Sequence, residues 1–282
     1  MRTVLPLMVV LLAGCGWLRD QVKDPEVAYE AARVTSVDFE QIAIELELAV
    51  TNPNPVGVTL SGYDLDLNIG ELPCVRAKER QDIDLRGGKA ATVLVPISLK
   101  WTEVQAAAGD LMKDGEVPKD VPWTANGTVT VVAGPTELEV PFSAAGDLPV
   151  VVPPTLVPTD LRFVRADLAK AQLEVDVQIE NPNARPIAAD RVEWLVEVEG
   201  REASRGRLEK PVRIKARGKA EVTLHVEASS RDLGLAAFAM LARSGELDVR
   251  VRGSAMVDTG LGKNAWSFDS REDVRTEGRK RR

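Results

Sequence analysis

An internal repeat constrains the fold of this chain more than any other feature. Residues 39–54 align without a gap with residues 168–183, at the offset that separates Asn52 from Asn181, and both segments end in Asn-Pro-Asn. The match continues downstream through paired glycines, with only small insertions. A unit of this length is far above the roughly 20 to 50 residues of stacked short repeats. The 282-residue sequence is therefore predicted to contain two copies of one domain.

Each copy shows the alternation of apolar and polar residues that is typical of β-strands. A period of two places one face of a strand in the core and the other in water, which predicts antiparallel sheets with one solvated face. The predicted core positions are Ile42, Ile44, Leu46, Leu48, Val50, Tyr63, Leu65, Leu67, Ile69, Val93, Val95 and Ile97 in the first copy, and Leu173, Val175, Val177, Ile179, Val192, Trp194, Val196, Val198, Val222, Leu224 and Val226 in the second.

Each Asn-Pro-Asn segment follows the first alternating strand of its copy. Proline cannot donate to a strand ladder, and asparagine side chains can bond nearby backbone groups. These segments are therefore predicted to end the strand in a fixed turn. Their residues are Asn52, Pro53 and Asn54 in the first copy and Asn181, Pro182 and Asn183 in the second.

One short helix is predicted within each copy. Thr102 and Gln105 have the spacing of a capping box ahead of an apolar run, and Gly115 is placed to end the helix. The counterpart in the second copy is predicted to begin near Ser229 and to end at Gly245.

The first fourteen residues have the features of an export signal. Arg2 precedes an apolar stretch of ten residues, which is too short for a spanning helix of about 20 residues. The stretch ends in Leu12-Ala13-Gly14-Cys15, which resembles a bacterial lipobox. That resemblance implies cleavage before Cys15, its acylation and a membrane anchor, and Gly16 favours the periplasmic face of the outer membrane over the inner membrane. The alternative is an ordinary signal peptide with an incidental cysteine.

The sequence thus divides into six segments. They are a signal peptide (1–14), a tether (15–26), a first domain (27–147), a proline-rich linker (148–158), a second domain (159–270) and a basic tail (271–282). Because the linker contains proline but no glycine, it is predicted to be extended and semi-rigid. The tail closes with Arg279, Lys280, Arg281 and Arg282. It is interpreted either as a solvated tail or as a contact with anionic lipid or wall polymers.

No residue pattern indicates a catalytic, metal or cofactor site. His225 is the only histidine and falls on the solvent side of its strand, which excludes a catalytic triad and a multi-histidine zinc site. A net charge of −7 argues against nucleic acid as the main partner, and no small-molecule ligand is expected. If Cys15 is acylated, no intramolecular disulfide can form, and Cys74 is predicted to be buried as a small apolar residue.

Together these motifs resemble a known family. The alternating strand with Asn-Pro-Asn is followed by the strand Tyr63-Asp-Leu-Asp-Leu-Asn-Ile-Gly70, a Gly-Lys pair before a third strand and a late strand led by glycine. This order is similar to the late embryogenesis abundant type 2 proteins, which carry the water stress and hypersensitive response (WHy) domain. The second copy departs from the pattern at Val192 and Trp194.

The resemblance implies a mainly β protein of two tandem antiparallel β-sandwich domains, of fibronectin III or immunoglobulin-like shape, each with seven strands and one short helix. It also implies a protein that is not an enzyme and that protects proteins or envelopes under desiccation or other stress. The leading hypothesis is a lipid-anchored binding or protective module whose partners are other envelope proteins. The alternative is a structural adaptor or spacer in a multi-protein envelope complex.

Overall fold

The computed structural model describes residues 23–70, 72–80, 82–107, 117–166, 170–229 and 246–277. In the first copy the strands are β1 (Glu26–Val37), β2 (Gln41–Thr51), β3 (Val58–Ile69), β4 (Leu72–Glu79), β5 (Ile83–Leu85), β6 (Ala90–Lys100), β7 (Asp120–Ala133) and β8 (Thr136–Pro149), and α1 (Trp101–Ala107) follows β6. In the second copy they are β9 (Thr155–Ala166), β10 (Lys170–Glu180), β11 (Ile187–Val198), β12 (Arg201–Arg207), β13 (Val212–Ile214), β14 (Lys219–Ser229), β15 (Glu246–Asp258) and β16 (Lys263–Glu277).

The strand order of the first copy is repeated in the second. In the first, one sheet has the order β1-β2-β6 and the other β4-β3-β7-β8, with β5 also paired to β3. In the second, the orders are β9-β10-β14 and β12-β11-β15-β16, with β13 paired to β11. The predicted fold of two tandem antiparallel β domains is therefore confirmed. Each copy has eight strands among the described residues instead of the seven expected, because the three-residue strands β5 and β13 add one to each.

The cores lie where the alternation predicted them. Ile42, Ile44, Leu46, Leu48 and Val50 of β2 are at most 1% exposed, and the intervening side chains lie on the solvated face. The same pattern holds along β10. Burial of a whole aliphatic row in each central strand contributes about 1.5 to 3 kcal/mol per side chain, which fixes the strand register.

One strand pair in the second copy is parallel. The last residues of β16 pair with β9, Thr276 with Leu161 and Glu277 with Arg162, and this pairing joins the two sheets at one side. The strand therefore continues well beyond Arg271, where the sequence placed the start of a basic tail. Val274 explains the difference, because this single apolar side chain within a charged stretch is buried.

The structure also moves the predicted linker. β8 ends at Pro149 and β9 begins at Thr155, so residues 148–158 overlap both strands. Val150 and Val151 are only 2% and 1% exposed, whereas a spacer in solvent would expose them. Only residues 150–154 lie between the two strands, and the first two of them are packed in the protein instead of exposed as a spacer.

Helix α1 begins one residue before Thr102, so the predicted capping box is shifted. The backbone N–H of Lys100 donates to Glu103 Oε2 at 3.2 Å, which is the reciprocal half of a capping box. The second predicted helix, from Ser229 to Gly245, falls almost entirely outside the described residues. None of the helices in the described part of the chain is long and apolar enough to span a bilayer.

Candidate functional site

The Asn-Pro-Asn segments contain the deepest polar side chains of both copies. Asn52 is 0% exposed and Asn54 is 3% exposed, and Asn181 and Asn183 in the second copy are 0% and 2% exposed. Strands β2 and β10 end just before them, at Thr51 and Glu180, as the sequence predicted. Because a buried amide without partners is costly, each of these side chains must find hydrogen bonds inside the protein.

In the first copy, Asn52 ties its own turn to a neighbouring strand. Its Nδ2 donates to the carbonyl of Val56 at 2.8 Å and to that of Leu85, at the end of β5, at 3.4 Å. Its Oδ1 accepts from the backbone N–H of Asn54 at 3.0 Å and from Asn54 Nδ2 at 3.1 Å. The first asparagine thus orients the second.

Asn54 in turn holds the chain segment that precedes β1. Its Nδ2 donates to the carbonyl of Lys23 and its Oδ1 accepts from the backbone N–H of Lys23, each at 2.8 Å. We call this reciprocal pair the first asparagine clasp. It imitates the two N–H···O hydrogen bonds that two facing residues exchange in an antiparallel sheet.

The second copy builds the same arrangement. Asn181 Nδ2 donates to the carbonyls of Arg185 and Lys215, and Asn181 Oδ1 accepts from the backbone N–H and Nδ2 of Asn183. Asn183 pairs reciprocally with the backbone of Val152 at 2.8 and 2.9 Å, which forms the second asparagine clasp. In both copies the clasped residue lies 31 positions before its asparagine.

The backbone beside the first asparagine clasp is packed too closely for a side chain at Gly87. Gly88 N–H donates to the carbonyls of Asn52 and Asn54, at 3.0 and 2.9 Å. A Cβ on the adjacent Gly87 would lie 2.3 Å from the carbonyl oxygen of Pro55. Glycine is therefore required at position 87, where the loop before β6 crosses the first Asn-Pro-Asn turn.

Outside the clasps, an arginine on the solvated face of the three-stranded sheet in each copy forms ion pairs with carboxylates of the neighbouring strand. Arg33 Nη2 lies 2.8 Å from Glu47 Oε2, and Arg162, at the matching position, contacts Asp176 and lies 3.2 Å from Glu174. The hydrogen bonds to Asp176 and then to Glu174 raise the pKa of Arg162. These are cross-strand ion pairs of a solvated sheet, not groups prepared for proton transfer.

Further ion pairs cover the four-stranded sheets. Arg250 bonds Asp269 on the adjacent strand, and this hydrogen bond lowers the pKa of the Asp269 carboxyl. In the first copy, hydrogen bonds from Arg76 and then Lys78 lower the pKa of Asp64. Among the residues that the structure describes, no group of three or more His, Cys, Asp or Glu is arranged to hold a metal ion.

A depression lies on the four-stranded sheet of each copy at equivalent strands. It measures about 350 Å³ in the first copy and about 780 Å³ in the second. In the first, Asp66 pairs in register with Asn126, whereas Leu195 pairs with Arg252 at the matching place in the second. The second depression has therefore lost a carboxylate and gained a guanidinium.

The remaining residues singled out from the sequence have separate locations. The side chain of His225 is 80% exposed, as predicted, with Nδ1 3.6 Å from Glu174. Cys74 is partly exposed, so the prediction that it is buried is wrong. Cys15 lies outside the described residues. So do the four basic residues that close the tail, Arg279, Lys280, Arg281 and Arg282.

Comparison with known families gives one match. A family model described as "Late embryogenesis abundant protein" matches residues 47–146 and, separately, residues 176–272. Each match contains one Asn-Pro-Asn segment. Among curated protein sequences, none matches this chain.

Several solved structures resemble parts of the chain. A crystal structure of a protein from Archaeoglobus fulgidus is 13% identical, with 46% of this chain and 98% of that chain covered and a TM-score of 0.34. A solution structure of an Arabidopsis thaliana protein is 15% identical, with 46% and 83% covered and a TM-score of 0.39. A solution structure of a candidate late embryogenesis abundant protein is 16% identical, with 48% and 78% covered and a TM-score of 0.36. At these TM-scores the likeness carries no argument, and assignment to a family rests on the two sequence matches.

Proposed function

This chain belongs to the late embryogenesis abundant type 2 family, and on that premise we propose that it is a non-enzymatic lipoprotein of the bacterial cell envelope. Family membership indicates a stress-related role without catalysis. In the proposal, acyl chains on Cys15 hold the protein on the periplasmic face of the outer membrane. Its two β domains bind and protect other envelope proteins under desiccation or related stress.

The first asparagine clasp is the observation that carries this proposal. Lys23 is the first residue after Cys15 that the structure describes. Its backbone is bonded through both the N–H and the carbonyl to Asn54, whose amide is buried. Several acyl chains, at about 0.8 kcal/mol per buried CH₂, would give a long-lived attachment, and a domain fastened at its first residues suits such an attachment.

The solvated faces support a protective role more than a catalytic one. Their carboxylates with shifted pKa, Asp64 and Asp269, are surface groups that accept hydrogen bonds from basic neighbours. A catalytic carboxylate would be expected in a cleft that excludes water. A hydrated, ion-paired surface can instead lie against client proteins without drawing them into a hydrophobic contact.

The decisive test compares native protein with Cys15→Ala, and the chain offers Cys74→Ala as a matched control. We expect wild type and Cys74→Ala to fractionate with membranes and to carry a diacylglyceryl mass on the residue-15 peptide. Cys15→Ala should lose that mass modification and be released by washing at high salt. Survival after drying, scored in the same strains, tests protection.

Two results would contradict the proposal. An unmodified, uncleaved N-terminus in native protein would remove the anchor. Unchanged survival on drying in a deletion strain that lacks the whole protein would remove the protective role.

The second candidate function is a structural adaptor between envelope proteins, and the two depressions favour it. The change from Asp66 and Asn126 to Leu195 and Arg252 gives equivalent surfaces different charge, as two different partners would require. Crosslinking in intact envelopes separates the proposals. A few stoichiometric partners, lost separately on Leu195→Asp and on Asp66→Leu, would indicate an adaptor, whereas many weak partners would indicate protection.

A further inference from the structure

We propose that the end of the first domain that carries Asn52 and Asn54 faces the membrane, and that its exposed loops contact anionic lipid headgroups. This inference rests on the anchored lipoprotein proposed above. It adds the orientation of the domain and a second membrane contact besides the acyl chains.

The hydrogen bonds bring three chain segments to this end of the domain. Asn54 holds Lys23, and the loop before β6 is bonded to the Asn-Pro-Asn turn through Gly88 N–H. Asn52 N–H completes the junction by donating to the carbonyl of Lys89 at 2.9 Å. We call the exposed surface of these three segments the clasp end.

The clasp end combines apolar tips with unpaired positive charge. Val56 is 58% exposed and is the most exposed of the large apolar side chains among the described residues. Lys23, Arg86 and Lys89 belong to the segments bonded to the same turn, and all three are exposed. In the described part of the chain none of the three makes an ion pair, whereas Arg33 elsewhere in the domain is neutralised by Glu47.

Two exposed carboxylates, Asp84 and Asp24, lie on or beside the same segments and offset two of the three positive charges, which leaves a net excess of one. Asp84 Oδ1 accepts a hydrogen bond from Thr59 Oγ1 at 3.0 Å and so is directed along the sheet. Asp24 is exposed beside Lys23 and offsets one cation. A net excess of positive charge on the segments that meet at an exposed valine suits an interface of anionic phosphates over hydrocarbon.

The length of the tether decides which end of the domain can reach the bilayer. Lys23 is eight residue steps beyond Cys15, and at about 3.3 to 3.6 Å per step these span at most about 29 Å. Strand β3 has twelve residues and is about 40 Å long. An acylated Cys15 therefore keeps the clasp end within reach of the headgroups, while the far end of the sandwich is not brought to them.

The second copy lacks this surface. The position that matches Val56 is occupied by Arg185, and the residue held by the second asparagine clasp, Val152, is joined to the preceding domain instead of to a lipid anchor. At this one matched position of the turn, the exposed apolar side chain belongs to the copy whose clasped segment leads to Cys15.

The test uses full-length acylated protein in vesicles, with Cys74→Ala as background. Val56→Cys carries an environment-sensitive fluorophore, and Leu94→Cys is the matched control because Leu94 is 45% exposed on strand β6 of the same domain. In vesicles that contain phosphatidylglycerol, we expect spin-labelled lipids to quench the probe at position 56 several-fold more than the probe at position 94.

The charge is tested by Lys23→Gln, Arg86→Gln and Lys89→Gln combined, which leaves the backbone bonds of the clasp intact. Quenching at position 56 should fall at least about fivefold, since each basic residue near an anionic surface contributes about that factor. The triple control Arg33→Gln, Arg76→Gln and Lys78→Gln should leave quenching unchanged. With the three basic residues intact, quenching at position 56 should fall by a similar factor in phosphatidylcholine vesicles or at about 0.5 M salt.

Equal quenching at the two positions, or none at position 56, would overturn the inference. Mass spectrometry of the residue-15 peptide in the same samples separates this failure from failure of the anchor. If Cys15 proves unmodified, the vesicle experiment still decides the contact. Quenching at position 56 would then support direct lipid binding, and its absence would refute it.

Discussion

Asn54 and Lys23 exchange two hydrogen bonds of 2.8 Å, so that a side-chain amide takes the place of a neighbouring strand. The amide is oriented by Asn52, which is itself 0% exposed. This relationship makes the asparagine pair the most sensitive polar feature of the first domain.

Replacement of Asn54 should therefore be severe. Asn54→Ala leaves the N–H and carbonyl of Lys23 without their partner and removes one of the two donors to Asn52 Oδ1, and we expect a loss of about 3 kcal/mol in the free energy of unfolding, from two unsatisfied groups. Urea denaturation followed by circular dichroism measures it. Asn126→Ala, an exposed asparagine on β7, should change stability by less than about 0.5 kcal/mol. A loss at Asn54 no larger than at this control would contradict the assignment.

The second asparagine clasp predicts a matching loss in the second copy. Asn183→Ala should cost about as much as Asn54→Ala, since it removes the same reciprocal bonds from Val152. The two changes share no hydrogen-bond partner, so the double variant should show the sum of both losses. A marked departure from that sum in chemical denaturation would mean that the clasps are coupled.

Gly253 should not tolerate a side chain. A Cβ there would lie 2.0 Å from the carbonyl oxygen of Glu193 and 2.6 Å from Phe268 Cζ. Gly253→Ala must push strands apart, and we expect about 3 kcal/mol of destabilisation. Gly57→Ala, whose nearest atom would be 3.6 Å away, is the control for thermal unfolding. Similar melting temperatures for the two variants would refute this packing.

The pH dependence of stability follows from the lowered pKa of Asp269. A carboxyl whose pKa is depressed in the folded state stabilises the protein above its unfolded pKa of about 4, and this contribution is lost as pH falls through the folded value. Asp269→Asn should therefore flatten the acid limb of the urea midpoint against pH. Glu209→Gln, in a loop, should retain the wild-type profile; an unchanged profile in Asp269→Asn would contradict the prediction.

Two truncations distinguish the role of the C-terminal strand β16 from the role of the basic residues after it. Deletion of Arg279, Lys280, Arg281 and Arg282 should weaken binding of unlipidated protein to anionic vesicles, at about 1 kcal/mol per basic residue, without lowering the melting temperature. Truncation after Ser270 removes Val274 and the parallel pairing with β9, and should unfold the second domain. Unchanged vesicle binding after the shorter deletion would discard the membrane role of the tail.

The repeat and the alternation predicted the central strands because each buries a full row of apolar side chains. Strand β12 gave no such pattern: Arg201–Arg207 lies at a sheet edge, where exposure on one side relaxes the requirement for apolar residues. The end of β16 was missed for a related reason. Val274 is the one buried apolar residue there, and a single apolar residue among charged ones does not produce a recognisable alternation.

The clasps could be predicted only in part. Asn-Pro-Asn indicated a turn, because the evidence for a turn is local to the residues themselves. The partners of Asn54 and Asn183 are backbone groups 31 residues away, and a backbone amide has no signature in the sequence. Duplication was the one available hint, since both copies keep two asparagines at this place.

The prolines of the motif also determine which of these asparagines can deamidate. Spontaneous deamidation proceeds when the backbone nitrogen of the following residue attacks the side-chain amide and closes a succinimide ring. Proline has no N–H, and it follows Asn52, Asn54 and Asn181. Of the four motif asparagines only Asn183, followed by Ala184, retains that route, so within the motif this reaction is confined to the second domain.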